Sequence, residues 1–250
     1  MSIIDSFDKE RFIEAIKLAN LELITYINSN LQDSDLTYTN VTGFGGDNSL
    51  KIDIIAENIF IRHLSFFGDI FSEECGLLSD NSDFKIVIDP LDGSSNFMHN
   101  LPYYGSSIAL KYKDKIVAGF VCNFVSKILT YRIDEDEIKY FDLASKKYIK
   151  RFFQESSKLA IFEKSYDSPE ICSLLSKNKI KYRSPGAMAL SLCDARNYRF
   201  SMFRGSLRSF DIDAALYINK DLHLYKKDDI LILSLNKNDF DLILEIIKDI

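Results

Sequence analysis

Apolar positions along the chain change their period, and each change marks an element. Phe12, Ile16, Ala19, Leu23, Tyr26 and Ile27 recur at helical spacing, which predicts a long amphipathic helix. Asp5 or Ser6 is placed to cap it, with Asp8 and Glu10 near the positive end of its dipole. The glycine-rich stretch TGFGGDNS at 42–49 reads as a loop, and Ile52, Ile55, Ile59 and Leu64 mark a second helix on which Asp53 and Glu57 share a face. Between 84 and 133 the pattern becomes short runs rich in Val, Ile, Phe and Tyr, FKIVI, YYGSSIALKY, KIVAGFVCNFV and ILTYRI, separated by turns; these predict sheet. Residues 134–158 are charged and mixed, and are expected to form a surface connection, the best place for a subdomain seam within a single 1–250 domain. The second half alternates: a strand at 159–162, a helix from Ser168, a small-residue helix over 186–195, a strand at 198–203, and helices at Asp211 and Asp239. The expected class is layered α/β.

With 250 residues, 46% of them hydrophobic, the chain is long enough to bury a substantial core, and disorder or a coiled coil is excluded. Lys and Arg number 31 against 37 Asp and Glu, a net charge of −6 that disfavours a nucleic-acid partner and points to a small molecule or a protein. Every apolar stretch is broken well short of the ~18 residues that a membrane helix needs. The opening MSIIDSFDKERF has acids where a signal peptide needs a basic start, so a cytoplasmic protein is expected. Cys75, Cys122, Cys172 and Cys193 form no C-x-x-C pair and are expected as buried free thiols. No G-x-S-x-G elbow occurs, and His63, His99 and His223 are poorly placed to act as a base, so a serine hydrolase is excluded.

The chemistry concentrates in KIVIDPLDGSSNF, residues 85–97, where an apolar strand runs directly into Asp89, Pro90, Asp92 and a glycine-serine turn. Pro90 stiffens the turn that carries both carboxylates, while Gly93, Ser94 and Ser95 offer backbone N–H groups and hydroxyls to an anion. A D-G pair alone is often an ordinary Asx turn. Here Glu73 and Glu74 precede another turn in FSEECG, and Asp211 and Asp213 stand among small apolar residues in SFDIDAA. Carboxylates in such settings are costly without a cation, and hard oxygen donors without a nearby histidine suit Mg²⁺.

DPLDGSSNF, preceded by SEECG and followed by SFDIDAA, resembles the inositol monophosphatase superfamily. That family's pattern is an E-E turn, then D-P-[IL]-D-G-[TS]-x-N-F, then W-D-x-A-A. GGDNSLKIDIIAE is similar to its G-D-x-x-T-x-x-D-x-x-A-E segment, NLPYYGSSIAL to the stretch after the aspartate motif, SPGAMALSLCDA to its glycine-led helix, and FRGSLRSFD to the lead into the final aspartate of the archaeal-type sugar bisphosphatases. The likeness runs in order from about residue 40 to 218.

The resemblance implies an αβαβα phosphatase fold and Mg²⁺-dependent, Li⁺-sensitive hydrolysis of a small phosphate monoester, with two or three ions per site, in a homodimer. It assigns Glu73, Asp89 and the Leu91 carbonyl to one metal, and Asp89, Asp92 and Asp211 to a second. Glu73 also counts among the catalytic residues; Ser94, with Asp53 behind it, would align the attacking water. Gly93, Ser94, Ser95, Gly186, Arg204 and Arg208 would receive the substrate.

Several positions depart from the pattern. Phe210 replaces tryptophan, Ser72 replaces the glycine before the acids, and Asp213 stands at a small or apolar position, as a solvated or capping group or an extra ligand. The R-x-G-x-G-A loop is replaced by RIDEDEIKYFD, and no glycine follows Gly205, so the hairpin after the last family motif is expected to be missing. Arg183, Arg196, Arg199, Arg204 and Arg208 lean toward a doubly charged anion. Inositol monophosphate is the first expected substrate, fructose 1,6-bisphosphate the second and 3′-phosphoadenosine 5′-phosphate the third. A phosphatase-fold regulatory or scaffolding partner is the alternative of another class.

Overall fold

The computed structural model describes residues 7–46, 48–153, 157–248 and 250, apart from the side chains of residues 40 and 41. The first segment comprises α1 (Lys9–Ser29), the short hairpin β1 (Tyr38–Thr42) and β2 (Asn48–Leu50), and α2 (Lys51–Leu64). Next come β3 (Asp69–Ser72), β4 (Gly76–Leu77), β5 (Phe84–Asp92), α3 (Ser94–Met98), β6 (Gly105–Tyr112), β7 (Lys115–Asn123), β8 (Ile128–Ile133), β9 (Lys139–Asp142) and β10 (Lys147–Ile149). The last segment holds β11 (Leu159–Glu163), α4 (Pro169–Lys177), β12 (Lys181–Arg183), α5 (Met188–Cys193), β13 (Ser201–Arg204), α6 (Ser209–Ile218), β14 (His223–Lys227), β15 (Ile230–Ser234) and α7 (Lys237–Ile247).

Side-chain alternation along the strands sorts these elements into five layers. Strands β3 to β10 form one eight-stranded sheet, ordered β10-β9-β8-β7-β6-β5-β3-β4 and antiparallel except where β3 runs parallel to β5. On β5, β6 and β7, Ile86, Ile88, Ile108, Leu110, Phe120 and Cys122 point to α1 and α2, meeting Phe12, Ile16, Leu23, Ile52 and Phe60. The intervening Val87, Ala109 and Val121 point to the opposite side, against α5 and α6. A five-stranded sheet, ordered β12-β11-β13-β15-β14, closes that middle layer with Phe203, Leu231 and Leu233. Its outer face, with Ala160, Phe162, Met202 and Ile232, is covered by Ile171 and Leu175 of α4 and Phe240, Ile243 and Ile247 of α7. The order is αβαβα, as expected.

Small residues on α6 have a steric cause. A Cβ on Gly119 of β7 would lie 2.2 Å from the Ala214 carbonyl oxygen, so helix and sheet approach too closely for larger side chains. Asp213 of α6 is not solvated: it is buried and ion-paired to Lys111 Nζ of β6 at 2.6 Å.

Other expectations need correction. Asp8, whose carboxylate accepts the Arg11 N–H at 3.0 Å, caps α1; Asp5 and Ser6 lie outside the described residues. Residues 134–158 contain β9 and β10, which extend the large sheet, rather than connection alone. The hairpin after α6 is present as β14 and β15, with Asp228 taking the left-handed turn (φ 52°) that glycine would otherwise supply. Cys75 is exposed, unlike buried Cys122 and Cys193. Among the described residues no helix is long and apolar enough to cross a membrane.

Candidate metal centre and cleft

Parallel pairing of β3 with β5 brings the acidic motifs together. Ser72 pairs with Ile88, so Glu73 emerges beside Asp89 and its N–H donates to the Ile88 carbonyl at 3.1 Å. The register of β5 against β6 shifts between Asp89 and Asp92, where Pro90 interrupts the ladder, and Asp89 Oδ1 accepts the Leu91 N–H at 3.0 Å. Asp211, in the first turn of α6, completes a group: Glu73, Asp89 and Asp211 each present an oxygen within 4.8 Å of the others. Asp92 is outside that group of three. Its two oxygens accept the Met188 and Leu190 N–H groups of α5 at 2.9 and 3.1 Å, yet it lines the same cleft.

Asp53 stands in the first turn of α2, where its Oδ2 accepts the Leu50 N–H at 2.8 Å and so caps its own helix. Its Oδ1 is buried and has no hydrogen-bond partner among the described residues. Asp53 lines a recess with Glu73, Glu74, Asp89, Leu91 and Ser94. Glu74, to which no role was assigned from sequence, accepts the Ser49 hydroxyl there. Residues 44 and 45 are tied to the acidic turn by N–H bonds to the Glu74 and Glu73 carbonyls, at 2.9 and 2.8 Å.

Burial makes these negative charges expensive. It pushes Asp53 up to about 7, with the Glu74 charge adding to it. Burial also pushes Glu73 up to about 8, where Arg208 opposes the rise and Asp211, Glu74 and Asp92 favour it. Asp89, fully enclosed and facing Glu73, Asp92 and Asp211, is held well above the usual carboxylate range. Burial likewise pushes Asp92 up to about 7. A cluster of this kind holds its charge only beside a cation.

Arg208 supplies one within the chain. Its Nε and Nη2 reach Asp211 at 2.7 and 3.2 Å, and its Nη1 reaches Glu73 at 2.9 Å and the Gly45 carbonyl at 3.1 Å. Arg204, expected at the substrate rim, is not there: it pairs with Glu170 and with Asp229 at 3.1 Å, outside the residues that line the cleft. Arg196 and Arg199 are likewise engaged, with Asp221 and Asp239, and exposed Arg183 reaches the Tyr182 carbonyl.

The cleft over this cluster has a volume of about 460 Å³. Gly93, Ser94, Ser95 and Gly186 all line it, as expected for substrate contacts. Gly93 (φ 84°) and Gly186 (φ 89°) adopt left-handed backbone, and a Cβ on either would press at 3.0 Å on Ala187 or Asn96 respectively. The cleft is also lined by Glu163, Lys164 and Tyr166, all unassigned from sequence. Glu163 is buried and accepts the Gly186 N–H at 2.9 Å and the Ser191 hydroxyl, bracing the loop that leads into α5. Its signal was present: like Asp89, it is an acid that ends an apolar strand. Lys164 packs near the Phe203 ring, its Nζ 5.7 Å from the centroid.

Residues 9–220 match the Inositol monophosphatase family. Fructose-1,6-bisphosphatase/inositol-1-monophosphatase of Methanocaldococcus jannaschii is 28% identical over 192 residues, 75% of this chain and 74% of that one. Fructose-1,6-bisphosphatase of Pyrococcus furiosus is 32% identical over 77 residues, so the match spans only 30% of either chain. Nus factor SuhB of Haemophilus influenzae is 28% identical over 154 residues, covering 58% of this chain and 57% of its own. Among solved structures, an inositol monophosphatase–fructose 1,6-bisphosphatase superposes with a TM-score of 0.76 at 23% identity, over 94% of this chain and 99% of its own.

Proposed function

The chain belongs to the inositol monophosphatase family, and from that premise we propose that it is an Mg²⁺-dependent phosphatase of a small polyol phosphate, inositol monophosphate first. The observation that carries this reading is the converging Glu73, Asp89 and Asp211 beside the buried Oδ1 of Asp53, which has no partner among the described residues. An all-carboxylate donor set, with carboxyls driven toward protonation by burial and mutual repulsion, fits a hard divalent cation. Glu73, Asp89, Asp92 and Asp211, with the Leu91 carbonyl, would hold the ions.

A divalent ion held by these residues would supply the positive charge that activates a nucleophile and stabilises an in-line phosphoryl displacement. The chain's own residues do the rest. Asp53 and Ser94 share one recess, and a carboxylate with a free oxygen and a pKa near 7 can take a proton from water through the serine hydroxyl at neutral pH. Gly93, Ser94 and Ser95 line the cleft where the phosphate would sit, and the alcohol would occupy the rest of its volume of about 460 Å³.

Lys164 favours a second reading, fructose 1,6-bisphosphate. It is a cation lining the cleft that makes no ion pair among the described residues, so it is available to a second phosphate. With Arg204 turned away, that phosphate would meet fewer cations than the sequence led one to expect. Phosphate release from inositol 1-phosphate, fructose 1,6-bisphosphate and 3′-phosphoadenosine 5′-phosphate, with Mg²⁺, EDTA or added Li⁺, tests both readings. We expect fastest release from inositol 1-phosphate, lost with EDTA and inhibited by Li⁺. A folded protein that releases nothing from the panel, or releases phosphate equally in EDTA, would overturn the proposal. Lys164→Met should raise KM for the bisphosphate by about tenfold and leave that for the monophosphate unchanged; equal effects would remove the second reading.

A further inference from the structure

Arg208 stands in the middle of the donor set. Its guanidinium bridges Asp211 and Glu73, two of the three carboxylates that converge, while Asp89 lies close enough to raise the arginine's own pKa. We propose that Arg208 is an internal counter-ion of the metal centre: it holds Glu73 and Asp211 together before a divalent ion arrives, and the ion must displace it from at least one of them. The inference rests on the reading that these carboxylates bind a divalent cation.

Charge and geometry fix the sign of the effect. Carboxylate oxygens engaged by a guanidinium at 2.7–3.2 Å are partly satisfied, so an incoming ion gains less there than at a bare cluster. A guanidinium left nearby also repels the ion. Removing Arg208 therefore raises the energy of the empty centre and removes that repulsion from the filled one. An arginine that merely oriented Asp211 for the metal would have the opposite effect, since its loss would weaken binding. Displacement also frees the guanidinium to meet a phosphate, which makes metal entry a preparation for substrate.

The test is equilibrium binding of Mn²⁺, followed by electron paramagnetic resonance, with Mg²⁺ as competitor and no substrate present. Arg208→Met is expected to bind the first ion about tenfold more tightly than the wild type, the scale of one charge-assisted hydrogen bond removed from the competing state. Arg208→Lys keeps the charge without the fork, should fall between the two at about threefold, and serves if Arg208→Met does not fold. Glu73→Gln should bind at least tenfold more weakly. The rise in Tm on adding metal should be larger in both arginine variants than in the wild type. Unchanged or weaker binding in both arginine variants, with Glu73→Gln weakened, overturns the counter-ion assignment alone. A wild type that binds no divalent ion, or a Glu73→Gln variant that binds it equally well, overturns the metal reading and this inference with it.

Discussion

Asp53→Asn separates a buried charge from the hydrogen bond that the same side chain makes. The amide keeps an oxygen for the Leu50 N–H, so the start of α2 stays capped, while the buried Oδ1 is replaced by an NH₂ facing the acceptors of the recess. A carboxyl raised from its ordinary 3.8 to about 7 by burial, then by Glu74, carries a penalty of about 4 kcal/mol when ionised in the fold. The new amide must be accommodated, so a gain of about 2 kcal/mol is expected, or a Tm higher by roughly 4–8 °C for a chain of this size. The sign follows from proton linkage. Below about pH 3 the group is protonated folded and unfolded, and only the cost of accommodating the amide remains, about 2 kcal/mol against the variant. As pH rises from 4 to 7 the folded wild type binds more protons than the unfolded chain and loses stability, so the difference swings to favour the variant and then stays constant above 7. Thermal melts of metal-free protein from pH 4 to 8 read this directly, and turnover should fall by a factor of about 10²–10⁴ if Asp53 takes the proton from water. A variant that melts lower than the wild type at pH 8, or that keeps its turnover, would refute the assignment of Asp53 as a strained, reactive carboxylate.

Three further outcomes are expected. Asp89→Asn, removing the most enclosed carboxylate of the cluster, should lower kcat/KM by at least about 10³ and weaken metal binding, measured by phosphate release and by calorimetric titration; near-normal turnover would sink the site. Arg204→Ala should leave kcat and KM within about twofold, because its partners Glu170 and Asp229 lie outside the cleft, and should cost no more than about 1 kcal/mol in denaturant melts. Asp213→Ala should remove the partner of half-buried Lys111 and cost about 1–3 kcal/mol, with metal affinity unchanged; a melt equal to the wild type's would show that the pair contributes nothing.

Most of the site could be read from the chain because its chemistry is written in short contiguous motifs. An apolar strand ending in DPLDGSS already joins two acids, a rigid turn and hydroxyls, and local chain geometry keeps Asp89, Asp92, Gly93 and Ser94 together. Glu73 and Asp211 stood out as acids in short motifs of their own, but joining them to that turn needed the resemblance, since neither is local to it. The arginines misled for the opposite reason. Arg204 and Arg208 were both expected at the substrate, but Arg204 ends β13 and pairs with Glu170 and Asp229, while Arg208 precedes α6 and turns into the carboxylates. Four residues of separation across a strand end and a helix start put two side chains in different electrostatic surroundings.

What the sequence by itself determined is the set of elements and the acidic motifs: helical periods for α1 and α2, alternating runs for the central strands, and strand-ending acids. These depend on interactions within a few residues, where covalent geometry fixes who is near whom. Tertiary structure alone decided which acids share a cavity, because the parallel register of β3 on β5 and the crossing of α6 over Gly119 are contacts between distant segments. It also decided their charge states, since desolvation depends on everything packed around a group. Glu163, Lys164 and the bridging role of Arg208 belong to that second set, with partners or cleft neighbours that lie elsewhere in the chain.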